Sequence, residues 1–171
     1  MYRIEFSIKA FPLSLIFLVS CSCNTPLEFD RSAEKDKILM LHNLQREYHF
    51  NKDPISFANQ LSDNFISVNK GRISNPKREE TVKRYTGYFS SVEFIKWDDV
   101  AEPIVKFADD GSMAYTVVDK IVSVIYNDEN GNTVEGQTRF AWTTIYKKYG
   151  NEWKIDCVIS TERPDENNNE N

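Results

Sequence analysis

Turn signals divide the second half of the chain into long strand-like runs. Each signal separates segments rich in β-branched and aromatic residues, and Asn-Gly between such runs is the strongest short-range indication of a β-hairpin. The signals are Asp109-Asp110-Gly111, Asn130-Gly131 and Gly150-Asn151. We therefore predict an antiparallel meander of four strands, over about 92–108, 112–127, 133–149 and 152–162. Pro103 cannot donate to a strand ladder, so we expect a bulge or an edge there.

The chain before these strands has helical periodicity instead. Apolar residues at three- and four-residue spacing, from Ile38 to Tyr48, predict a helix over about 33–51 whose apolar face carries Ile38, Leu41, Leu44 and Tyr48. Asp53-Pro54 suits the cap and first turn of a second helix. A short strand at 65–68 and a third helix from Asn75-Pro76 to about Phe89 follow. The helices must cover the apolar side of the sheet, which makes the fold class α+β.

The N-terminus predicts a signal peptide. The apolar run Ala10–Val19 has the length of a signal-peptide core and is too short to cross a bilayer. Leu18-Val19-Ser20-Cys21 follows and resembles the lipobox of bacterial lipoproteins, in which cleavage leaves an acylated cysteine as the first residue. The resemblance implies a lipoprotein signal peptide over 1–20 and membrane attachment through palmitate-type acyl chains on Cys21.

The lipobox resemblance also implies a location for the protein. Residues 21–32 form a polar, lipidated tether that leads into the domain at 33–163. Ser22 lacks the Asp that resembles an inner-membrane retention signal, so we expect a lipid anchor in the cell envelope, in the outer membrane of a Gram-negative bacterium. The tail over 164–171 is polar and is predicted to be disordered.

Short local sequences and the order of elements together resemble a known fold. The sequences are Ser67–Ile73, Tyr88-Phe89, Trp97–Asp99, Asp109–Tyr115, Phe140–Trp142, Trp153–Ile155 and Ser160-Thr161. Over residues 33–163 they resemble the SnoaL-like branch of the nuclear transport factor 2-like superfamily, a ketosteroid-isomerase-like cone fold. The resemblance implies a strongly curved antiparallel sheet under N-terminal helices, a cone-shaped α+β barrel. This superfamily contains cyclases, a dehydratase, an isomerase and many members without activity, so the fold leaves the chemistry open.

The turns also allow a register to be proposed. With a two-residue loop at Asn130-Gly131, Asp119 faces Trp142 on an aromatic side of the sheet that packs under the helices. A three-residue loop would shift the pairing of the two strands by one residue, so that Asp119 and Trp142 would no longer lie on the same side of the sheet. We expect the aromatic side to line a mostly apolar cavity. The predicted ligand-binding residues are Tyr48, Glu102, Tyr115, Asp119, Phe140, Trp142 and Thr144.

Two residues are candidate catalytic groups. A carboxylate at Asp119 beside Trp142 and Glu102 would be desolvated, which raises its pKa. A carboxyl group with a raised pKa suits a general base or an acidic group that binds the ligand. The alternative places Asp119 at a sheet rim or in an ion pair with a basic residue such as Lys106. His49 follows Tyr48 and could reach the cavity as an acid or base; the alternative is an exposed helix residue.

Several classes of site are not expected. His42 and His49 are the two histidines, and two helical turns separate them by about 10 Å, too far to share one zinc ion. We therefore expect no metal. No phosphate loop or dinucleotide glycine pattern occurs, so we expect no cofactor. The net charge is −5 and the basic residues are scattered, which argues against nucleic-acid binding.

Three functions remain open at this point. The leading hypothesis is a membrane-tethered, non-catalytic domain that binds a small apolar ligand in the cone cavity. The second is a proton-transfer enzyme, an isomerase, dehydratase or cyclase, using Asp119 with Tyr48 or His49 as helper. The third is a dimeric envelope interaction module that uses the outer sheet face. A homodimer is the expected assembly.

Overall fold

In the part of the chain that the structure describes, three helices cover the sheet. The computed structural model describes residues 29–163; the predicted signal peptide, Cys21 and the tail at 164–171 lie outside them. The helices are α1 (Arg31–Phe50), α2 (Pro54–Asn59) and α3 (Arg78–Ser91). Within the described residues, no helix combines the length and apolar character that a membrane crossing needs.

Side-chain caps set where the first two helices begin. The carboxylate of Asp30 accepts hydrogen bonds from the backbone N–H groups of Ser32 and Ala33, so α1 begins at Arg31, two residues before the predicted start. Asp53 caps α2 in the same way, and Pro54 occupies its first turn as predicted.

Within residues 29–163, seven strands form one sheet. They are β1 (Leu61–Asn69), β2 (Arg72–Ser74), β3 (Glu93–Asp99), β4 (Ile104–Phe107), β5 (Met113–Asn127), β6 (Thr133–Tyr149) and β7 (Glu152–Glu162). The run predicted at 92–108 is interrupted before Ile104 and forms two strands, β3 and β4. Pro103 lies in the interruption and has no backbone N–H to donate to a strand ladder. The three long strands that follow occupy almost the predicted residues.

The sheet is curved and mixed rather than wholly antiparallel. The strand order is β2-β1-β7-β6-β5-β3, with β4 also paired to β5. Adjacent strands are antiparallel except β1 and β7, which run parallel and align Ile66 with Cys157. The prediction of a purely antiparallel sheet was therefore wrong in this pair, while the α+β class with N-terminal helices on a curved sheet is confirmed.

The β5–β6 hairpin corrects the predicted register. The loop is three residues, Glu129–Gly131, closed by the Asp128 N–H donating to the Asn132 carbonyl at 2.9 Å. Gly131 adopts a φ of 81°, the left-handed conformation that such loops require. Trp142 therefore pairs with Val118, and Asp119 pairs with Ala141. This shift of one residue moves Asp119 to the opposite face of β5 from the one predicted.

The buried face of α1 is unexpectedly polar. Ile38 is fully buried, but its buried neighbours on the same helix face are Glu34, His42, Gln45 and His49. The predicted apolar face is only half-buried at Leu41, Leu44 and Tyr48. The helix is thus rotated toward its polar side, where the sheet supplies hydrogen-bond partners for Glu34 and His42.

Candidate functional site

A cavity of about 1160 Å³ lies between the inner face of the sheet and the helices. Its volume is slightly above the range of about 300–1000 Å³ that is common for small-molecule sites. Helices α1, α2 and α3 and strands β1, β2, β3, β5, β6 and β7 all contribute to its wall. The apolar part of the wall includes Phe57, Trp97, Val122, Phe140, Trp142 and Ile155.

An aromatic cluster surrounds His49 on the helical side of this cavity. The imidazole lies 4.7 Å from the Trp97 ring, 5.0 Å from Phe89 and 5.2 Å from Phe94, measured between ring centroids. Burial among these rings lowers the pKa of His49 to about 4, and the nearby Lys120 ammonium acts in the same direction. The ring is therefore neutral at pH 7.

The tautomer of His49 follows from its one hydrogen bond. Nδ1 lies 2.6 Å from the backbone carbonyl oxygen of Gln45, which can only accept, so Nδ1 carries the proton. Nε2 then keeps a lone pair. Because His49 is only 6% exposed and lines the cavity, the alternative of an exposed helix residue is wrong.

A buried charged group lies behind the aromatic wall. Asp99 at the end of β3 contacts His42 Nε2 at 2.8 Å through Oδ2 and Lys120 Nζ at 2.6 Å through Oδ1. Lys120 and His42 are each 1% exposed. Burial lowers the pKa of the Lys120 ammonium, and the ion pair with Asp99 opposes that fall. For Asp99, burial would raise the pKa, but its hydrogen bonds to His42 and Lys120 outweigh it and lower the pKa.

The Lys120 ammonium also stacks on the wall itself. Nζ lies 3.6 Å from the centroid of the Trp97 ring and 5.7 Å from that of Trp142. A cation over an indole face is attracted by the ring quadrupole, most strongly where water is excluded. The ion pair therefore holds a cation against the two tryptophans, whose ring centroids lie 5.5 Å apart.

Three of the predicted ligand-binding residues line the cavity. Phe140, Trp142 and Thr144 alternate along β6 and face inward. Tyr146 pairs with Ile155 on β7, and a bulge between Ile145 and Tyr146 shifts the register beyond it, so that Trp142 pairs with Ser160 and Thr144 with Val158.

The other predicted ligand-binding residues lie elsewhere. Asp119 and Tyr115 are on the outer face of β5, and Glu102 is an exposed residue that pairs with Lys35 at 3.2 Å. Tyr48 is half-buried on α1 outside the cavity lining. Glu102 and Asp119 do share a shallow depression of about 460 Å³, but it is on the outer surface. The predicted place of Asp119 and Tyr115 in the inner cavity was wrong because the three-residue loop moves them to the other face of β5. Glu102 lies between β3 and β4, outside any strand, so the predicted pairing with Asp119 does not form.

The predicted chemistry of Asp119 is also wrong. Its carboxylate accepts a hydrogen bond from Arg139 Nε at 2.8 Å and pairs with the second guanidinium nitrogen. The Arg139 guanidinium lowers the pKa of Asp119, whereas a raised pKa was expected. Asp119 is thus a solvated ion-pair partner across two strands.

Sequence reasoning named His49 as a candidate but missed Glu34, His42 and Gln45 as buried polar residues on the inner face of α1. These residues and His49 recur at spacings of three or four around Ile38, which is a helical stripe in its own right. That spacing was the available signal, but it competed with the apolar stripe that runs from Ile38 through Leu41, Leu44 and Tyr48. Among residues 29–163, no group of three or more His, Cys, Asp or Glu side chains is placed to hold a metal ion.

Comparisons with known proteins identify similar solved structures. No protein-family model matches the chain, and no curated protein matches it. A putative Ca/calmodulin-dependent kinase II association domain from Exiguobacterium sibiricum is 14% identical, with a TM-score of 0.63 over 78% of this chain and 95% of the other. A hexachlorocyclohexane dehydrochlorinase (LinA, type 2) is 12% identical, with a TM-score of 0.63 over 78% and 88%.

A third similar structure is an NTF2-like protein from Cytophaga hutchinsonii. It is 15% identical, with a TM-score of 0.58 over 76% of this chain and 98% of the other. At such identities the likeness concerns the fold alone. Because the three include an enzyme and an association domain, the fold does not select a function.

Proposed function

Since the chain has the nuclear transport factor 2-like cone fold, we propose that it is a membrane-tethered, non-catalytic domain that binds a small apolar ligand in the cone cavity. The observation that carries the proposal is the cavity of about 1160 Å³ between the helices and the sheet, with Trp97, Phe140 and Trp142 in its wall. Burying a ligand of one or two rings against such a wall is favourable at roughly 25 cal/mol per Å² of apolar surface removed from water.

Binding is tested with N-phenyl-1-naphthylamine, an uncharged probe that fluoresces in apolar surroundings. Thr138→Trp adds an indole on the cavity side of β6, and Glu135→Trp adds the same group at an exposed position of that strand outside the cavity lining. We expect the probe to bind the parent protein and Glu135→Trp, and to bind Thr138→Trp at least tenfold more weakly. Equal binding to all three proteins, or to none, would contradict the proposal.

The tether is supported by the sequence Leu18-Val19-Ser20-Cys21. The acyl chains on Cys21 hold the domain at the membrane of the cell envelope, which is the outer membrane in a Gram-negative bacterium. Cys21→Ala is expected to abolish incorporation of labelled palmitate and to release the protein into the soluble fraction. Cys23→Ala is the matched control and should change neither result.

A homodimer is supported by a row of residues across the outer face of the sheet. Ladder pairing aligns Ile104, Val117, Thr143 and Ile159 on four successive strands. Ile104 is 54% exposed and Val117 is 40% exposed, so the row leaves apolar surface in water. Val117→Lys should convert a dimer to a monomer in sedimentation; a parent protein that sediments as a monomer would refute this assembly.

A proton-transfer enzyme is the second candidate, with His49 in place of the outward-facing Asp119. Its support is the neutral ring in the cavity wall, anchored through Nδ1 and keeping a lone pair on Nε2. The similar dehydrochlorinase makes loss of HCl the reaction to test, with the proton passing to Nε2 and chloride leaving. Chloride release from hexachlorocyclohexane that His49→Gln abolishes would support the enzyme; release that persists in the variant would exclude this base.

A further inference from the structure

The β1–β2 hairpin gives one end of the cavity a polar lining. The strands turn at Lys70-Gly71, and their register pairs Asn69 with Arg72 and Ser67 with Ser74. All four paired residues line the cavity, together with Ser160 on the neighbouring β7. Paired residues of a ladder point to the same side, so this end of the wall presents hydroxyl, amide and guanidinium groups.

The charge of the cavity wall has a single sign. Lys70, Arg72 and Arg84 line the cavity, whereas none of its lining residues within the described 29–163 is Asp or Glu. Lys70 is paired with Glu162 at 3.0 Å. Neither Arg72 nor Arg84 has a carboxylate within 4.0 Å among the residues that the structure describes.

The two arginines come from different elements and are both exposed residues in the lining of the same cavity. Arg72 is carried by β2, and Arg84 is carried by α3, where its guanidinium lies 5.1 Å from the Tyr85 ring centroid. This stacking limits the motion of the side chain, which also donates a hydrogen bond to the Tyr85 hydroxyl and has further N–H groups that can donate to a ligand. Guanidinium groups bind carboxylate, sulfonate and phosphate oxygens through paired hydrogen bonds.

Away from this polar end the wall is mainly apolar, with Gln45, His49, Gln137, Thr138 and Thr144 as its polar members. Trp97 is 4% exposed, Ile155 is 1% exposed, and Val122 and Trp142 continue the same surface. The cavity therefore has a cationic, hydrogen-bonding part and an aromatic part in one continuous space.

We infer that the ligand is an amphiphilic organic anion, whose charged group is held by Arg72 and Arg84 while its apolar body lies against Trp97 and Trp142. The inference rests on the proposed function and adds the chemical class of the ligand. A carboxylate, sulfonate or phosphate ester attached to a body of one or two rings fits this arrangement.

The test compares two fluorescent probes that share one scaffold. 8-Anilinonaphthalene-1-sulfonate carries the anionic group, and N-phenyl-1-naphthylamine lacks it. Dissociation constants are measured for the parent protein and for the double variant Arg72→Gln/Arg84→Gln. The control double variant Lys83→Gln/Lys147→Gln changes the net charge equally, at exposed or partly exposed positions outside the cavity lining.

We expect the arginine variant to weaken sulfonate binding at least tenfold and to change binding of the uncharged amine less than twofold. The control variant should leave both affinities within twofold, and added salt should reduce the advantage of the sulfonate. Equal changes for both probes, or no change for either, would overturn the assignment of an anion while leaving the cavity a binding site. Failure of both probes to bind the parent protein would instead refute the proposed function.

Discussion

Acidification should destabilise the protein through His49. The imidazole has a pKa of about 4 in the folded protein, because it is buried among aromatic rings, and 6.5 when exposed in the unfolded chain. A depressed pKa means that the unfolded state binds the proton more readily. The contribution of His49 to stability is therefore complete above pH 6.5 and is lost as the pH falls toward 4.

The size of the effect follows from the two pKa values. Linkage gives a loss of about 2 kcal/mol between pH 7 and pH 5, and roughly 3 kcal/mol once the ring is protonated in both states. The assay is urea unfolding followed by tryptophan fluorescence at pH 7, 6 and 5. His49→Gln retains a donor for the Gln45 carbonyl but does not titrate, so its stability should be lower at pH 7 and nearly independent of pH over this interval.

His42→Gln serves as the matched control because it removes the other histidine and keeps the His49 ring. This variant should retain the full fall in stability between pH 7 and pH 5. If His49→Gln loses as much stability on acidification as the parent protein, the ring is not the desolvated group that the structure indicates, and the reasoning fails.

Three further predictions concern single side chains. Glu34→Ala should cost about 2–4 kcal/mol in urea unfolding, because it leaves the buried Trp153 N–H and the Lys148 ammonium without their shared acceptor; a change below 1 kcal/mol would be inconsistent with that network. Gly111→Ala places a Cβ 2.5 Å from the Phe29 ring at a φ of 68°, whereas Gly71→Ala at a φ of 71° meets open space. The first should therefore lower the midpoint of thermal unfolding well below the second, and equal midpoints would show that the Phe29 contact is absent. Asp119→Asn should leave the unfolding midpoint and probe binding unchanged, since its ion pair with Arg139 is solvated. Loss of probe binding in this variant would show that Asp119 contributes to the binding site.

Local sequence was sufficient to locate most of the elements. Asp53-Pro54 identifies the start of α2, and the glycines at 111, 131 and 150, all with positive φ, end the long strands where they were predicted to end. Turn and cap signals depend only on residues a few positions apart in the sequence, so they predict the ends of helices and strands without knowledge of the fold.

The same signals could not fix the side of the sheet on which Asp119 lies. Asn130-Gly131 fits a two- or a three-residue loop, and the difference of one residue reverses every side chain of β5 relative to β6. The observed loop is stabilised by Asp128, which accepts from the backbone of Asn130 and Asn132. The sequence thus determined that a hairpin forms here. The tertiary structure decided on which face of the sheet each side chain of β5 lies.

The polar face of α1 was decided by residues distant in the chain. Glu34 is buried because Lys148 and Trp153 satisfy it, and His42 is buried because Asp99 does. Helical periodicity measures apolar character alone, so it selected the stripe of Leu41, Leu44 and Tyr48. The amino-acid sequence by itself determined the element order and the α+β class through local turn and cap chemistry. Only the tertiary structure decided which face each element buries, because that choice depends on partners brought together across the sheet.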